Sequence, residues 1–443
     1  MKYGRIYTNF ETVPTVLKKF IQITKYNKKE LSNTIWLVSD KFVRSIILFV
    51  VNIFVIRYLG DEQYGYLNYA FSFISLFASF SYLGIDQILL REVLKNEIQS
   101  SKLITNAIVV KIFASFFIGF FIVFTMIYRV DNQKIIIITL FGSIGLIFQS
   151  FEHISTWYQA KVLSKFVVIA GLVSSIVSSI VRLLLIYFEF SVVYFSTLTI
   201  LEASISAIFL MYFYKKLNNQ NIINFKQIEI STIKNLIAEG LPFMFAVALN
   251  YWFIRIDHIM IGDIAGFNEL GVYSVAVRIN EMFYILPGLI LSSFAPKIYK
   301  IMENKEYKNN KNIALYIKIM IFIGIFIWIF FYLFGEYLFV TFYGQEFRKG
   351  AVYLNLLNIG LIIVLWSSLR PIFIRAKNLK YYNLIGMILG TIINVGLNYI
   401  LIPKYGAMGA CYATIVSLIM INFIFDIFYK PARDMAVIQI KIL

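Results

Sequence analysis

Long apolar runs alternate with short polar segments along nearly the whole chain. A helix needs roughly 20 apolar residues to cross a bilayer core about 30 Å thick. Runs of that kind lie at 34–57, 64–84, 104–128, 135–157, 166–188, 191–213, 235–261, 271–296, 313–334, 351–369, 382–402 and 406–428. The pattern predicts twelve membrane spans, with a very tight turn near Glu189 joining the fifth and sixth. The most polar break, "KKLNNQNIINFKQIEISTIKN" (215–235), divides the spans into six and six. The expected organisation is an N-terminal segment 1–31, a six-helix bundle 32–214, a linker 215–234, a second six-helix bundle 235–428 and a tail 429–443.

The two halves echo each other. "GDEQYGYLNYA" (60–70) follows the first span and "GFNELGVYSVA" (266–276) follows the seventh, both reading G-x4-G-x4-A. An even number of spans per half makes the repeat parallel, with its pseudo-two-fold axis along the membrane normal. The expected fold class is therefore an all-α polytopic membrane protein of two six-helix bundles around a central cavity. That is an alternating-access layout.

Composition agrees. The 443 residues are 60% hydrophobic and 18% aromatic, with mean hydropathy +0.76, against about 45–50% apolar in soluble domains. The net charge of +17 does not point to nucleic acid, because the basic residues are scattered through short segments between spans. With the N-terminus cytoplasmic, about 28 lysines and arginines fall inside and about 6 outside. Both termini are therefore expected in the cytoplasm of a bacterial inner membrane. No secretory signal is visible. Cys411 is the one cysteine, so no intrachain disulfide forms. Residues 9–25 place Val13, Val16, Leu17, Phe20 and Ile21 on one stripe. They read either as a basic surface helix on membrane lipids or as a partly ordered tail.

Charges inside spans mark cavities, pairs or snorkelling ends. Lys318 is near an inner end and is expected to snorkel, and Glu152 and His153 are expected to meet interfacial water. Arg44 lies about 15 Å into the first span, and Lys41 shares its face. Asp40 cannot neutralise both. Arg278 and Glu281 are spaced i,i+3, so a local bridge is one arrangement and cavity lining by Arg278 the other. Arg255 and Asp257, at i,i+2, point to different faces and cannot pair. His258 is expected at the interface in contact with water. Lys41, Arg44, Arg255 and Arg278 are the candidate contacts for an anionic, sugar-bearing substrate, because guanidinium groups offer bidentate charge-assisted hydrogen bonds. Glu202 and Asp257 are the candidates for ion coupling. Pro287 and Gly288 can kink the eighth span, and Gly386 and Gly390 allow close helix approach.

Several stretches together carry a family resemblance: "SDKFVR", "RYLGDEQYGYLNYAFSF", "LGIDQILLRE", "WYQAKVLSKFVVIA", "RIDHIMIGDIAGFNELGVYSVAVRINE" and "NVGLNYILIPKYGAMGACYAT". In order and coverage, from Ser39 to Thr414, the chain resembles the polysaccharide-exporter branch of the multidrug/oligosaccharidyl-lipid/polysaccharide superfamily, which includes O-antigen flippases. The resemblance implies transport of a lipid-linked oligosaccharide from the inner to the outer leaflet, in company with polysaccharide polymerase machinery. A multidrug and toxin extrusion antiporter would need an acidic cation site, and a lipid II flippase is expected to have more spans. A membrane polymerase or ligase would carry a large reactive outer loop. Paired outer carboxylates, a phosphate-binding glycine loop and a Cys/His metal cluster are all missing from the sequence. A non-enzyme transporter without cofactor or metal is therefore expected.

Overall fold

The computed structural model describes residues 28–95, 99–218, 221–291, 298, 301 and 310–441. These are helical almost throughout, with no strand among them. The surface helix considered at 9–25 lies outside the described residues.

Eleven described stretches are long and apolar enough to cross a membrane. The first, Phe42–Ser81, has 40 residues, about 60 Å of helix, or twice the bilayer core. It is in fact two helices. Gly60, at φ 70° and ψ 179°, breaks the Lys28–Ser81 stretch into α1 before it and α2 after it. Twelve spans result, as the apolar pattern predicts. The remaining elements of the N-terminal half are α3 (Ile85–Lys95), α4 (Ser100–Arg129), α5 (Gln133–Gln149), α6 (Ile154–Ala160), α7 (Lys165–Tyr187), α8 (Val192–Ser196) and α9 (Leu198–Asn218). The C-terminal half holds α10 (Ile230–Ile264), α11 (Phe267–Met282), α12 (Lys311–Tyr343), α13 (Gly350–Trp366), α14 (Arg370–Ala376), α15 (Lys380–Tyr405), α16 (Ala407–Ile419), α17 (Phe425–Phe428) and α18 (Arg433–Lys441). The tail thus ends in a helix, which the sequence reading left as plain chain. Trp366 Nε1 donates to the Gln439 carbonyl at 3.1 Å, docking that helix on α13.

The sequence repeat becomes a two-fold contact. Gly266, at φ 93° and ψ 168°, repeats the turn at Gly60, in a region of backbone space where glycine is favoured. α2 and α11 then meet by their first turns. A Cβ on Gly65 would lie 1.9 Å from the Phe267 carbonyl oxygen, and one on Gly271 would lie 1.9 Å from the Asp61 carbonyl oxygen. In the repeat register these are the same contact made twice. Around it, Phe267 packs edge-on against Tyr66 and Tyr69, and Asn268 Nδ2 donates to Asp61 Oδ1 at 3.2 Å. Tyr69, fully buried, donates to Asp263 Oδ1 at 2.6 Å. Arg129 forms an ion pair with Asp263 across the two halves.

Below this seam the symmetry is broken. On one flank α2 and α10 stay together. Trp252 Nε1 donates to the Leu76 carbonyl at 3.1 Å, Gly240 sits against the Leu83 carbonyl, and Arg91 pairs with Glu239 at 2.5 Å. In the register pairing Gly60 with Gly266, Trp252 and Leu76 correspond to Ile46 on α1 and Met282 on α11. Those two are 46% and 39% exposed. The α1/α11 flank is therefore parted where the α2/α10 flank is closed.

The linker is docked on α4. Thr105 Oγ1 donates to the Ile222 carbonyl at 2.8 Å. Asn106 Nδ2 donates to the Gln227 carbonyl, and Asn106 Oδ1 accepts from the Glu229 amide, both at 2.9 Å. Hydrogen bonds from Lys102, Ser231 and Thr232 hold the Glu229 carboxyl down to about 2. Its folded value lies below the ordinary one, so its contribution is present above the usual glutamate range and lost as pH falls toward 2. The tie holds at neutral pH.

Seam closure needs both positions to lack a Cβ. Gly65→Ala or Gly271→Ala should each disfavour the closed seam by about 1–3 kcal/mol. Labelling of a cysteine placed at Leu270, fully buried in the first turn of α11, would rise accordingly. The double variant should lose less than the sum, because a parted seam relieves both contacts at once. Unchanged labelling in all three would show that the two turns do not govern closure.

Candidate functional site

Below the seam, α2, α10 and α11 enclose a cavity of about 420 Å³. Its wall is built from three registers. Asn68, Ser72 and Ser75 come from α2, Tyr251 and Arg255 from α10, and Ser274, Arg278 and Glu281 from α11. The α2 residues fall at i, i+4 and i+7, one helical face, which places a polar strip inside an otherwise apolar span. Ser274 is buried, with a hydroxyl that has no protein partner.

Two of the four candidate basic residues, Arg255 and Arg278, therefore come together here. Arg255 reaches across from α10 to Glu281 on α11 at 3.1 Å. The local Arg278–Glu281 bridge does not form. Glu281 serves Arg255, and Arg278 stands exposed, with no carboxylate in ion-pair reach among the described residues. The cavity wall thus carries two guanidinium groups against one carboxylate. α11 gives way to a 3₁₀ turn at Phe283–Ile285, just ahead of Pro287, whose ring disfavours the helical carbonyl four residues earlier.

The other candidates lie elsewhere. Arg44 is held by Asp40 at 2.8 Å, one helical turn away. It packs into a notch at Gly171 of α7, where a Cβ would be 2.9 Å from its Nη1. It does not line the α2/α10/α11 cavity. The side chain of Lys41 lies outside the described residues. Glu202 accepts from Ser175 Oγ at 3.2 Å and faces Arg182 at 3.8 Å. Asp257 turns away from Arg255, as the i,i+2 spacing requires, and is buried. It accepts from the Tyr273 hydroxyl on α11 and, at 2.8 Å each, from the His258 amide and ring nitrogen Nδ1.

Two expectations are corrected. His258 is not solvated at an interface; it is 2% exposed, held by Asp257 and the edge of Tyr273, and it forms part of the cavity wall. His153 is also fully buried, with Nδ1 2.6 Å from Asp86 Oδ1, instead of being solvated at an interface. Arg370, at the start of α14, is likewise buried, in a two-point ion pair with Asp426 at 2.8 and 3.0 Å. Asn383 and Tyr382 complete that cluster. Arg182 is the residue that sequence reasoning passed over. It sits in the N-terminal half within electrostatic reach of Arg278, with a buried, unpartnered Nη1. Only its mid-span position hinted at a role.

Comparisons with known proteins follow the same line. Residues 31–302 match the family described as polysaccharide biosynthesis protein. The capsular polysaccharide biosynthesis protein CapF of Staphylococcus aureus is 28% identical over 216 residues, 48% of this chain and 52% of that protein. The chain thus spans about half the length of the curated relative it matches. An inward-facing multidrug resistance MATE family transporter of the MOP superfamily superposes with a TM-score of 0.65 at 16% identity, covering 93% of this chain and 98% of its own. The outward-facing conformation of such a transporter gives 0.57 at 16% identity, covering 89% and 93%. A MOP superfamily transporter from Pyrococcus furiosus, whose binding pocket is described as reversed in polarity, gives 0.54 at 14% identity, covering 94% of each chain. These likenesses establish the fold.

The Asp257 cluster should act as a rivet between α10 and α11. Asp257→Ala would leave buried donors on Tyr273 and His258 unmet and cost about 1–3 kcal/mol or more. Thermal unfolding in detergent should register a larger loss than for Arg255→Ala, whose side chain borders the cavity. Equal losses would count against the rivet.

Proposed function

The chain belongs to the polysaccharide biosynthesis protein family, and from that membership we propose that it is a flippase. Its cargo would be an undecaprenyl-diphosphate-linked oligosaccharide, carried from the inner to the outer leaflet of a bacterial cytoplasmic membrane by alternating access. The observation that carries the reading is the cavity between the halves, with Arg278 uncompensated beside the Arg255–Glu281 pair.

The cargo has three parts, and each meets a matching feature. The diphosphate is anionic, and guanidinium groups give it charge-assisted hydrogen bonds in a low-dielectric setting. The sugars need many neutral hydrogen-bond partners, which Asn68, Ser72, Ser75 and Ser274 supply. The polyprenyl tail must stay in hydrocarbon. The parted α1/α11 flank, with Ile46 and Met282 exposed, offers it a lateral slot. The closed seam lies at the end that the lysine and arginine distribution puts outside, so the cavity would be loaded from the cytoplasmic side. Opening the seam while closing the α1/α11 flank would then deliver the head group outward. A cationic drug is a poor fit to this cavity, because its basic groups outnumber its acidic one. Delivery to a polysaccharide polymerase on the outer face belongs to the same proposal.

The test is reconstitution in vesicles with a fluorescent polyprenyl-diphosphate sugar, following its outward movement by quenching. The wild type should exceed protein-free vesicles. Arg278→Ala and Arg255→Ala should each slow transfer by about 10-fold or more, as expected for losing a charge-assisted contact of about 1.5–3 kcal/mol. Rates equal to protein-free vesicles would sink the function, and unimpaired variants would sink the site.

A further inference from the structure

The linker between α9 and α10 encloses a second cavity, which the transport path does not use. It measures about 540 Å³ and lies between the linker and α4. Its wall includes Ser101 of α4 and Asn221, Asn224, Phe225, Lys226 and Gln227 of the linker. Gln227 Oε1 is buried without a protein partner. Phe225 is 74% exposed, and Ile228 and Ile230 beside it are exposed as well. Between Lys215 and Lys234 the chain has one acidic residue, Glu229, and it is spent on Lys102 of α4. Tyr214 at the end of α9 reaches Ser101, which brings Lys215 and Lys216 to the same edge.

Depth and facing can be read off α4. Thr105 holds the Ile222 carbonyl, and Arg129 pairs with Asp263 at the seam. The two are 24 positions apart on one unbroken helix, or about 36 Å. A hydrocarbon core is about 30 Å thick, and a bilayer with its head groups about 40–45 Å. With Arg129 at one interface, the linker falls in the head-group layer of the opposite leaflet. It also lies on the lipid side of the protein. Lys102, Thr105 and Asn106 hold it. Three helical turns further along the same face stand Phe113, Phe116 and Phe117, all exposed. From Phe116 an apolar groove of about 200 Å³ runs between α4 and α5, past Gly119 and Val123 on one side and Leu140 and Ile144 on the other. The groove begins about 16 Å above Thr105, close to half the core thickness, where the chains of one leaflet end.

We infer that the linker and α4 form a binding site for an anionic phospholipid whose head group carries hydroxyls. The phosphate meets Lys226, a head-group hydroxyl donates to Gln227 Oε1, and one acyl chain runs along α4 to the groove. A phosphoglycerol head has both parts. A choline head has no hydroxyl for Gln227 and sets another cation among the lysines. Clustered lysines next to the ends of spans are an electrostatic match to anionic lipid. Phe225 and Ile230 suit the boundary between head groups and chains, where apolar side chains of surface segments insert. A free phosphate would use Lys226 and leave the groove and the exposed Phe225 without a role. A soluble acidic protein would have to reach into the head-group layer. The bound lipid joins α4 to the linker, at the corner where the two halves are tied together. The inference stands apart from the cargo and from the Arg255–Arg278 cavity.

The test is fluorescence quenching in lipid nanodiscs. A cysteine at Ile230, outside the cavity wall, carries the fluorophore in a Cys411→Ala background. Doxyl groups near the head end of the acyl chain are supplied on phosphatidylglycerol or on phosphatidylcholine. Phosphatidylglycerol should reach half-maximal quenching at about 5-fold lower mole fraction, the share of one lysine near an anionic surface. Lys226→Gln should bring the two lipids close to parity, and Gln227→Ala should narrow the gap. Added glycerol phosphate should leave the quenching unchanged. If a variant does not assemble, native mass spectrometry of the wild type in neutral detergent decides, with phosphatidylglycerol expected to be retained over phosphatidylcholine. Equal behaviour of the two lipids would overturn the inference. So would displacement by glycerol phosphate, which marks a site for free phosphate, or quenching by aqueous iodide alone, which marks a surface left to a soluble partner.

Discussion

Two helix beginnings pressed against each other with nothing but backbone between them set the geometry of this molecule. Gly65 against the Phe267 carbonyl and Gly271 against the Asp61 carbonyl are one contact repeated about the pseudo-two-fold axis. Because no side chain intervenes, the two helices approach to backbone contact at both points. The polar strip on α2 shares a cavity wall with Arg278 and Ser274. The Asp263 ties to Tyr69 and Arg129 add a polar clasp at the same level.

Electrostatic cost explains how the remaining charges are distributed. In hydrocarbon an ionised group must find a partner or water. Arg370 and Asp426 hold one another in a two-point pair, and Asp257 accepts from both His258 and Tyr273. These clusters hold helices together, and His258 alone among them also borders the cavity. The incompletely satisfied groups are Arg278, Arg182 and His153, and they border the space between or within the halves. The functional reading rests on that division between closed and open polar clusters.

Much of this was legible in the sequence, for a physical reason. Span length is a local property, so the helices could be read from apolar runs. The one long stretch that hides two spans was betrayed by its apolar pattern before Gly60 was seen to break it. The G-x4-G-x4-A repeat was visible, and so was the divergence of Arg255 from Asp257, since both follow from helical spacing. Partners far apart in sequence were not. Nothing local says that Arg255 chooses Glu281 over leaving it to Arg278, or that Arg370 dives inward to Asp426. The burial of His153 depends on α3 folding back beneath the fourth span, which no periodicity encodes.

The docking of the linker has a mechanical consequence. Residues Ile222 to Glu229 are bonded to Thr105 and Asn106 on α4, and α10 starts at the next residue. A little further on, Gly240 is seated against Leu83. The C-terminal half is therefore anchored to its neighbour at one corner, like a door hung on a post. A swing about that corner would be greatest at the far edge, along α1 and α11, and smallest beside α10. Under the proposed flippase reading, the free edge of the door is where a hydrocarbon tail would enter, opposite the hinge post.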